Sequence, residues 1–384
     1  MRILVLNAGS STLKAAVAET DGDTVTFPVR MTIEDRDGNG GEALFRKALD
    51  PLGAAAGTID AVGHRVVHGG TRFRGPVRID REVESAIESL VPLAPLHNPI
   101  ALTGIRAARV QFSSLPMVAV FDTAFHQGRP EPSRRYALPD DLTRELELWR
   151  YGFHGIAHAS LVDGVAALEG QTPSGVTAVT LQLGRGCSAC AVERGISIET
   201  SMGFTPLEGL MMGTRSGDLD PGLVLYLIRR GRTPGEVEAL LEKRSGLAGV
   251  GGSADMRQLL AAEAAGDPRA ALAVALFVRR IVMTVGAYLT LLEGKGAVVF
   301  GGGIGENAPQ IRERVAAGLA AWNVHLDPAR NAAGSPGRIS ADGSRPTYVI
   351  GTDEETVIAR AVCSVVARIG SADSPPGPHQ GNPV

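Results

Sequence analysis

The feature that most narrows the possible folds lies in residues 1–17, where two short strand-like runs meet at a tip of small residues. Residues 2–7 are β-branched and aliphatic, Asn7-Ala8-Gly9-Ser10-Ser11 is turn-prone, and a second such run occupies 13–17. The layout returns at 176–194: an apolar run at 176–183 reaches a tip at Gly184-Arg185-Gly186, and small residues at 187–192 lead away from it. The two tips differ in sequence, so the echo is weak, but it points to two halves of similar architecture. Between the hairpins the pattern predicts a strand at 61–67, helices at 81–90 and 99–111, and a buried strand at 117–121. After the second hairpin it predicts helices near 221–230, 234–243 and 268–293. A strand at 297–300, a Gly-rich turn at 301–305, a helix at about 308–321, a strand at 347–350 and a helix at 354–368 then follow. Strands alternating with helices indicate an α/β fold with mainly parallel sheets.

A chain of 384 residues that is 44% hydrophobic suits two domains, each with its own core. The formal charge of −3 speaks against a partner rich in phosphates such as a nucleic acid. Three cysteines, Cys187, Cys190 and Cys363, cannot build a disulfide framework and fit a reducing cytoplasm. The opening apolar run is too short for a signal peptide. The longest apolar stretch, 270–292, carries Arg279 and Arg280 mid-way, so it is expected as a helix inside a soluble protein rather than a membrane span. Residues 372–384, with four prolines, read as a disordered tail.

Several short segments carry chemistry. At the first tip, backbone N–H groups of small residues can approach an anion, with Lys14 just beyond; an ordinary hairpin turn would look the same. Gly63-His64-Arg65-Val66-Val67-His68-Gly69-Gly70 places Arg65 at a strand's exit, where a guanidinium can grip a carboxylate or phosphate, or simply pair with an acid. Asp122 follows the strand at 117–121, a place from which a carboxylate holds Mg²⁺, steers a nucleophile or caps a helix. His154 and His158 stand four apart without the glutamate of a zinc motif, and Gly155 weakens a helix there. Cys187 and Cys190 have redox-type spacing, but thiols three apart on a strand face opposite sides, so they read as small buried residues. Met211-Met212-Gly213-Thr214-Arg215-Ser216-Gly217 offers a second anion clamp in Arg215, and Gly301-Gly302-Gly303-Ile304-Gly305-Glu306-Asn307 a flat surface for a base or ribose. Two phosphate-type turns, two lone arginines and a strand-end carboxylate together call for phosphoryl transfer.

In this order the segments resemble the acetate and propionate kinases. The likeness rests on Asn7-Ala8-Gly9-Ser10-Ser11 with Lys14, the 63–70 segment, Ala94-Pro95-Leu96-His97-Asn98-Pro99 and Phe121-Asp122-Thr123-Ala124-Phe125-His126. It continues through Arg150-Tyr151-Gly152-Phe153-His154-Gly155, residues 200–222, Ser253-Ala254-Asp255-Met256-Arg257, Gly302 to Asn307 and Thr352-Asp353-Glu354-Glu355. The resemblance implies two α/β domains of the actin–Hsp70–sugar-kinase (ribonuclease H-like) type around a closing cleft. Residues 1–124 with 356–371 would form one domain and 125–355 the other. It implies ATP-dependent, Mg²⁺-requiring reversible phosphorylation of acetate by direct in-line transfer, ATP and ADP being co-substrates, in a homodimer. Arg65 and Arg215 would hold carboxylate and phosphoryl group, His154 would stabilise charge in flight, and Asp122 would orient the acyl carboxylate. Asn7 and Glu354 would serve the metal. Lys14, Gln182, Leu183, Gly184, Arg185, Gly186, Asp255, Met256, Arg257, Gly303, Ile304, Gly305, Glu306 and Asn307 would meet the nucleotide. Val67, Leu96, His97, Phe153 and Pro206 would surround the acyl group. One departure stands out: the family's usual His-Leu-Gly-Asn-Gly is Gln182-Leu183-Gly184-Arg185-Gly186 here. It leaves open a propionate or pyrophosphate variant, and a nucleotide-binding regulatory protein that has lost catalysis.

Overall fold

The computed structural model describes residues 1–9, 12–21, 24–34, 41–53, 59–334 and 336–372. Ser10 and Ser11 of the first tip and the expected tail from residue 373 lie outside them. The chain divides into two compact units: residues 1–69, 75–121 and 354 onward form the first, residues 70–74 and 122–353 the second. Asp122 therefore belongs to the second unit and Glu354 and Glu355 to the first, the reverse of the expected borders at 124/125 and 355/356.

In the first unit the strands, numbered along the chain, are β1 (Arg2–Ala8), β2 (Thr12–Asp21), β3 (Thr24–Glu34), β4 (Ala61–Val66), β5 (Val77–Arg78) and β6 (Met117–Phe121). They form one sheet in the order β3-β2-β1-β4-β6-β5. β1, β2 and β3 make an antiparallel meander, while β1, β4 and β6 run parallel. Ile3 to Leu6 and all of β6 are buried, as apolar runs without polar alternation require of central strands. The long helix α15 (Glu354–Ala372) lies on β1, β4 and β6, and Gly63 permits the approach: a Cβ there would meet Ile358 and Val362 at 2.8 Å. Helices α1 (Glu42–Gly53) and α3 (Asn98–Gln111) cover the other face, with α2 (Arg81–Ser89) against α3.

In the second unit β7 (Ala178–Leu183), β8 (Cys187–Glu193), β9 (Ile196–Thr200), β10 (Ala297–Gly301), β11 (Gly337–Arg338) and β12 (Thr347–Val349) form a sheet ordered β11-β12-β10-β7-β8-β9. Here β7, β8 and β9 are the antiparallel meander and β7, β10 and β12 the parallel set. Both sheets thus repeat one plan, the duplicated unit of the actin–Hsp70–sugar-kinase fold. Helices α4 (Glu131–Arg134), α5 (Asp140–Glu145), α6 (Gly155–Leu168), α7 (Pro221–Arg229), α8 (Pro234–Lys243), α9 (Gly246–Gly251), α10 (Met256–Ala264), α11 (Pro268–Leu291), α12 (Gly302–Asn307), α13 (Pro309–Gly318) and α14 (Pro328–Ala332) complete the unit. α11 is long and apolar enough to cross a bilayer, yet Val274, Phe277, Ile281 and Val285 form a fully buried stripe, and the helix packs on α9, α10, α13 and β8. Arg280 on it donates to the Asp218 carbonyl at 2.8 Å.

Three local expectations need correction. The Gly-rich stretch at 302–307 is a short helix rather than a turn, and the helix expected at 308–321 ends at Gly318. Gly155 begins α6 instead of weakening it. Its N–H donates to the Asp122 carbonyl at 2.9 Å, and a Cβ there would lie 2.1 Å from that oxygen. The close approach, not helix propensity, decides the residue.

Candidate active site

The nucleotide-type residues converge within the second unit. The β7–β8 tip, the start of α10 and α12 surround a cavity of about 570 Å³ lined by Gly184, Arg185, Asp255, Met256, Arg257, Gly303, Ile304 and Asn307, together with Ser253, Ala254 and Ala308. That volume lies in the range of small-ligand sites. Asp255 caps α10 by accepting from the Arg257 N–H at 2.9 Å, and its pairing with the Arg257 side chain holds its carboxyl down at about 2. The α12 glycines have different reasons to be there. Gly302 has φ +73° and a Cβ on it would strike the Leu183 carbonyl at 2.7 Å, whereas a Cβ on Gly303 would meet nothing. Gly302 is demanded by the fold; Gly303 only keeps the cavity wall flat.

Below the tip, Arg215 and His154 press on one face of Gly186: a Cβ at that glycine would lie 3.0 Å from Arg215 Nη2 and 3.1 Å from His154 Cε1. Arg215 is largely buried, and burial lowers its pKa. Its Nη1 donates to the Pro206 carbonyl at 2.7 Å, and among the described residues no carboxylate lies within salt-bridge reach of it. Glu242 lies close enough to act on it only through space, so the guanidinium has no direct ion-pair partner and can take an anion. His154 holds φ +57° just before α6, a conformation a non-glycine side chain rarely adopts, and its Nδ1 lies 2.9 Å from Ser188 Oγ.

The first unit gathers the remaining polar groups at the carboxyl ends of its parallel strands. The β1–β4 register pairs Leu6 with His64, which brings Asn7 and Arg65 to one edge. Arg65 Nη1 donates to Asn7 Oδ1 at 3.3 Å, and Asn7 Nδ2 donates to both Glu354 Oε2 and Glu355 Oε1 at 2.7 Å. Lys14 sits 3.8 Å from Glu355, so its nearest partner here is a carboxylate. His68 and Asn98 exchange two backbone–side-chain hydrogen bonds at 3.1 Å, fixing the end of β4 to α3.

The other predicted residues are spread. Val67, Leu96 and His97 belong to the first unit and Phe153 and Pro206 to the second; Leu96 is exposed while Phe153 is fully buried. Gln182 and Glu306 turn to one hydroxyl-bearing residue: Thr352 Oγ1 donates to Gln182 Oε1 at 3.0 Å, and the Thr352 N–H donates to Glu306 Oε1 at 3.0 Å. Leu183 and Gly305 are buried beneath the cavity wall. Sequence reasoning missed Glu355, the buried neighbour of Glu354 that shares the Asn7 amide, although helical position alone cannot say which of two adjacent acids turns inward. It also missed Ser188, Thr180 and His158, which stand behind His154.

With this geometry in view the likeness to known proteins is informative. The acetokinase family profile matches residues 41–360. The acetate kinase of Pseudarthrobacter chlorophenolicus is 45% identical over 382 residues, spanning 95% of this chain and 99% of that one. This chain belongs to the acetokinase family. It is therefore a kinase whose phosphoryl acceptor is a carboxyl group. The crystal structure of Porphyromonas gingivalis acetate kinase superposes with a TM-score of 0.86 at 35% identity, covering 95% of this chain and 99% of that one. A propionate kinase structure from Francisella tularensis gives the same TM-score and coverage at 37% identity.

Proposed function

We propose that this acetokinase transfers the terminal phosphoryl group of ATP directly and reversibly to acetate, giving acetyl phosphate and ADP. The observation that carries the reading is Arg215, largely buried, with no carboxylate in salt-bridge reach among the described residues, and side by side with His154 at Gly186. The same β7–β8 tip supplies Gly184 and Arg185 to the 570 Å³ cavity, so a nucleotide seated there sends its phosphates along the tip toward the guanidinium. Arg215 neutralises the equatorial oxygens of the moving group, and His154 donates a hydrogen bond to them as charge builds. The family resemblance assigns Arg65 to the same transfer and Asp122 to orienting the acceptor carboxylate. It also assigns Val67, Leu96, His97, Phe153 and Pro206 to the acyl group.

Mg²⁺ is the implied metal, and the first unit's donor set fits it. Mg²⁺ is commonly held by one or two carboxylates with substrate phosphates completing the shell, and here two carboxylates meet at the Asn7 amide. Glu354, with Asn7 beside it, would hold the ion, which neutralises phosphate charge when bound. Glu355 orients Asn7, and Asn7 in turn receives the Arg65 guanidinium.

Two further properties belong to this reading. α7 has no buried residue, and Leu223, Leu225, Tyr226 and Ile228 are all exposed, so a second copy of the chain is taken to cover them in a homodimer. The free thiols fit a cytoplasmic location. Propionate remains the second acyl substrate to test, because a propionate kinase structure matches as well as an acetate kinase one, and one methylene is worth only about 1–3 kcal/mol. The test is trapping of acyl phosphate with hydroxylamine, using acetate or propionate with ATP or pyrophosphate. Acetate with ATP should give the highest kcat/KM. ATP binding without any trapped product would replace this reading with a regulatory nucleotide-binding protein.

A further inference from the structure

Behind His154 lies a continuous chain of hydrogen bonds made only of neutral groups. Thr180 Oγ1 is 2.8 Å from His158 Nδ1, His158 Nε2 is 2.8 Å from Ser188 Oγ, and Ser188 Oγ is 2.9 Å from His154 Nδ1. Thr180, His158 and Ser188 are fully buried. Burial pushes the His158 pKa down to about 3. Its ring therefore has one N–H and one lone pair.

Each hydroxyl and each neutral ring owns a single proton, so the chain has two registers. In one, every proton points toward His154: Thr180 donates to His158 Nδ1, His158 Nε2 to Ser188, and Ser188 to His154 Nδ1. In the other all are reversed, and the Thr180 hydroxyl is left to donate to the Cys190 carbonyl at 3.5 Å. That separation is beyond the usual 2.5–3.0 Å for an O–H donor, while every bond of the first register is 2.8 or 2.9 Å. Geometry favours the first. We propose that Ser188, held by His158 and Thr180, is a positioning residue that fixes His154 as the neutral tautomer with its proton on Nε2. The inference rests on the reading of His154 as the group that meets phosphoryl charge.

The consequence is that His154 donates from Nε2 without becoming a cation. The reversed register would leave Nε2 protonated only in the imidazolium, a second positive charge beside Arg215. The other ionisable groups nearby are Cys187 on β8, Asp122 beneath Gly155, His158 on α6, His126 stacked edge-on to His158, and Glu242, which acts on Arg215. The Cys187 thiol, pushed up to about 12 by burial, is neutral.

The direct test is ¹⁵N NMR of histidine-labelled full-length protein at neutral pH, which should show His154 protonated at Nε2; protonation at Nδ1 would overturn the proposal. Ser188→Ala should lower kcat by at least about tenfold with little change in KM, and introduce an alkaline loss of activity absent from the parent. Ser188→Thr, which keeps the hydroxyl, should restore most of the rate. His154→Ala separates the two levels of inference. Normal rates in that variant would remove His154 from the reaction, whereas a slow His154→Ala beside an unaffected Ser188→Ala would sink the relay alone. Should Ser188→Ala not fold, the tautomer of the parent still decides.

Discussion

The two units share one strand plan but furnish its carboxyl edge with opposite chemistry. In the first, the strand-end groups are an amide and two carboxylates, with Arg65 and Lys14 tied to them. In the second they are a guanidinium with no carboxylate in direct contact among the described residues, a histidine and a file of neutral hydroxyls and imidazole. In the proposed reading, the duplicated scaffold separates cation-binding from anion-binding work. The fold explains the shared edge, and only the residues at that edge explain the chemistry.

The widest test of this contrast removes one charge from each unit. Arg215→Ala should cut kcat by about 10³-fold or more while the melting temperature stays near that of the parent, because Arg215 makes no direct ion pair and acts on the half-buried Glu242 only through space. Glu354→Gln should lower activity by about 10²-fold and raise the Mg²⁺ concentration needed for half-maximal rate, which Arg215→Ala should not do. Equal Mg²⁺ dependence in both variants would erase the division of labour.

Acid should reveal a likeness instead. Each unit buries two histidines: His64 is pushed to about 3 and His68 to about 4 in the first, while His158 is pushed to about 3 and His126 well below its ordinary value in the second. Desolvation is the largest cause in all four. A lowered folded pKa means the unfolded chain binds more protons below about 6.5, so stability is kept above that pH and lost as pH falls toward 3. The loss is up to roughly 1.4 kcal/mol per pH unit for each group. Urea denaturation at a series of pH values checks it, and a flat profile from pH 6.5 to 4 would contradict the burial of neutral rings.

Smaller effects should separate the two glycines of α12. Gly302→Ala is expected to cost about 1–3 kcal/mol through its positive φ and the Leu183 carbonyl, while Gly303→Ala should be neutral in stability and raise the KM for ATP. Arg185→Asn, which returns the tip to the family's usual residue, should change the KM for ATP by less than about tenfold and leave the KM for acetate alone. A change confined to acetate would move Arg185 out of the nucleotide cavity.

Much of this was legible in the chain. The β1–β2 and β7–β8 hairpins, the strand at Met117–Phe121 and the long α11 follow from short-range pattern, because an apolar run flanked by turn residues leaves few options. The edge strand β3 was missed although residues 24–34 alternate in burial with a period of two; Pro28 interrupts the pattern and suits its outermost position. The short helix α12 was missed because glycine has no helix preference, and there the neighbouring Leu183 backbone decides.

By itself, the order of residues determined the kinds of groups available: two arginines, a strand-end acid, glycine-rich tips and the segments that carry them. Tertiary structure decided their partners. Parallel register brought Asn7 to Arg65, the returning α15 gave Glu355 as well as Glu354 to the same amide, and β8 placed Ser188 between His154, just before α6, and His158 on it. None of these pairings is local in the chain. Each depends on which strand lies beside which and how far a helix has turned, and those are settled by burial of apolar faces across the whole unit.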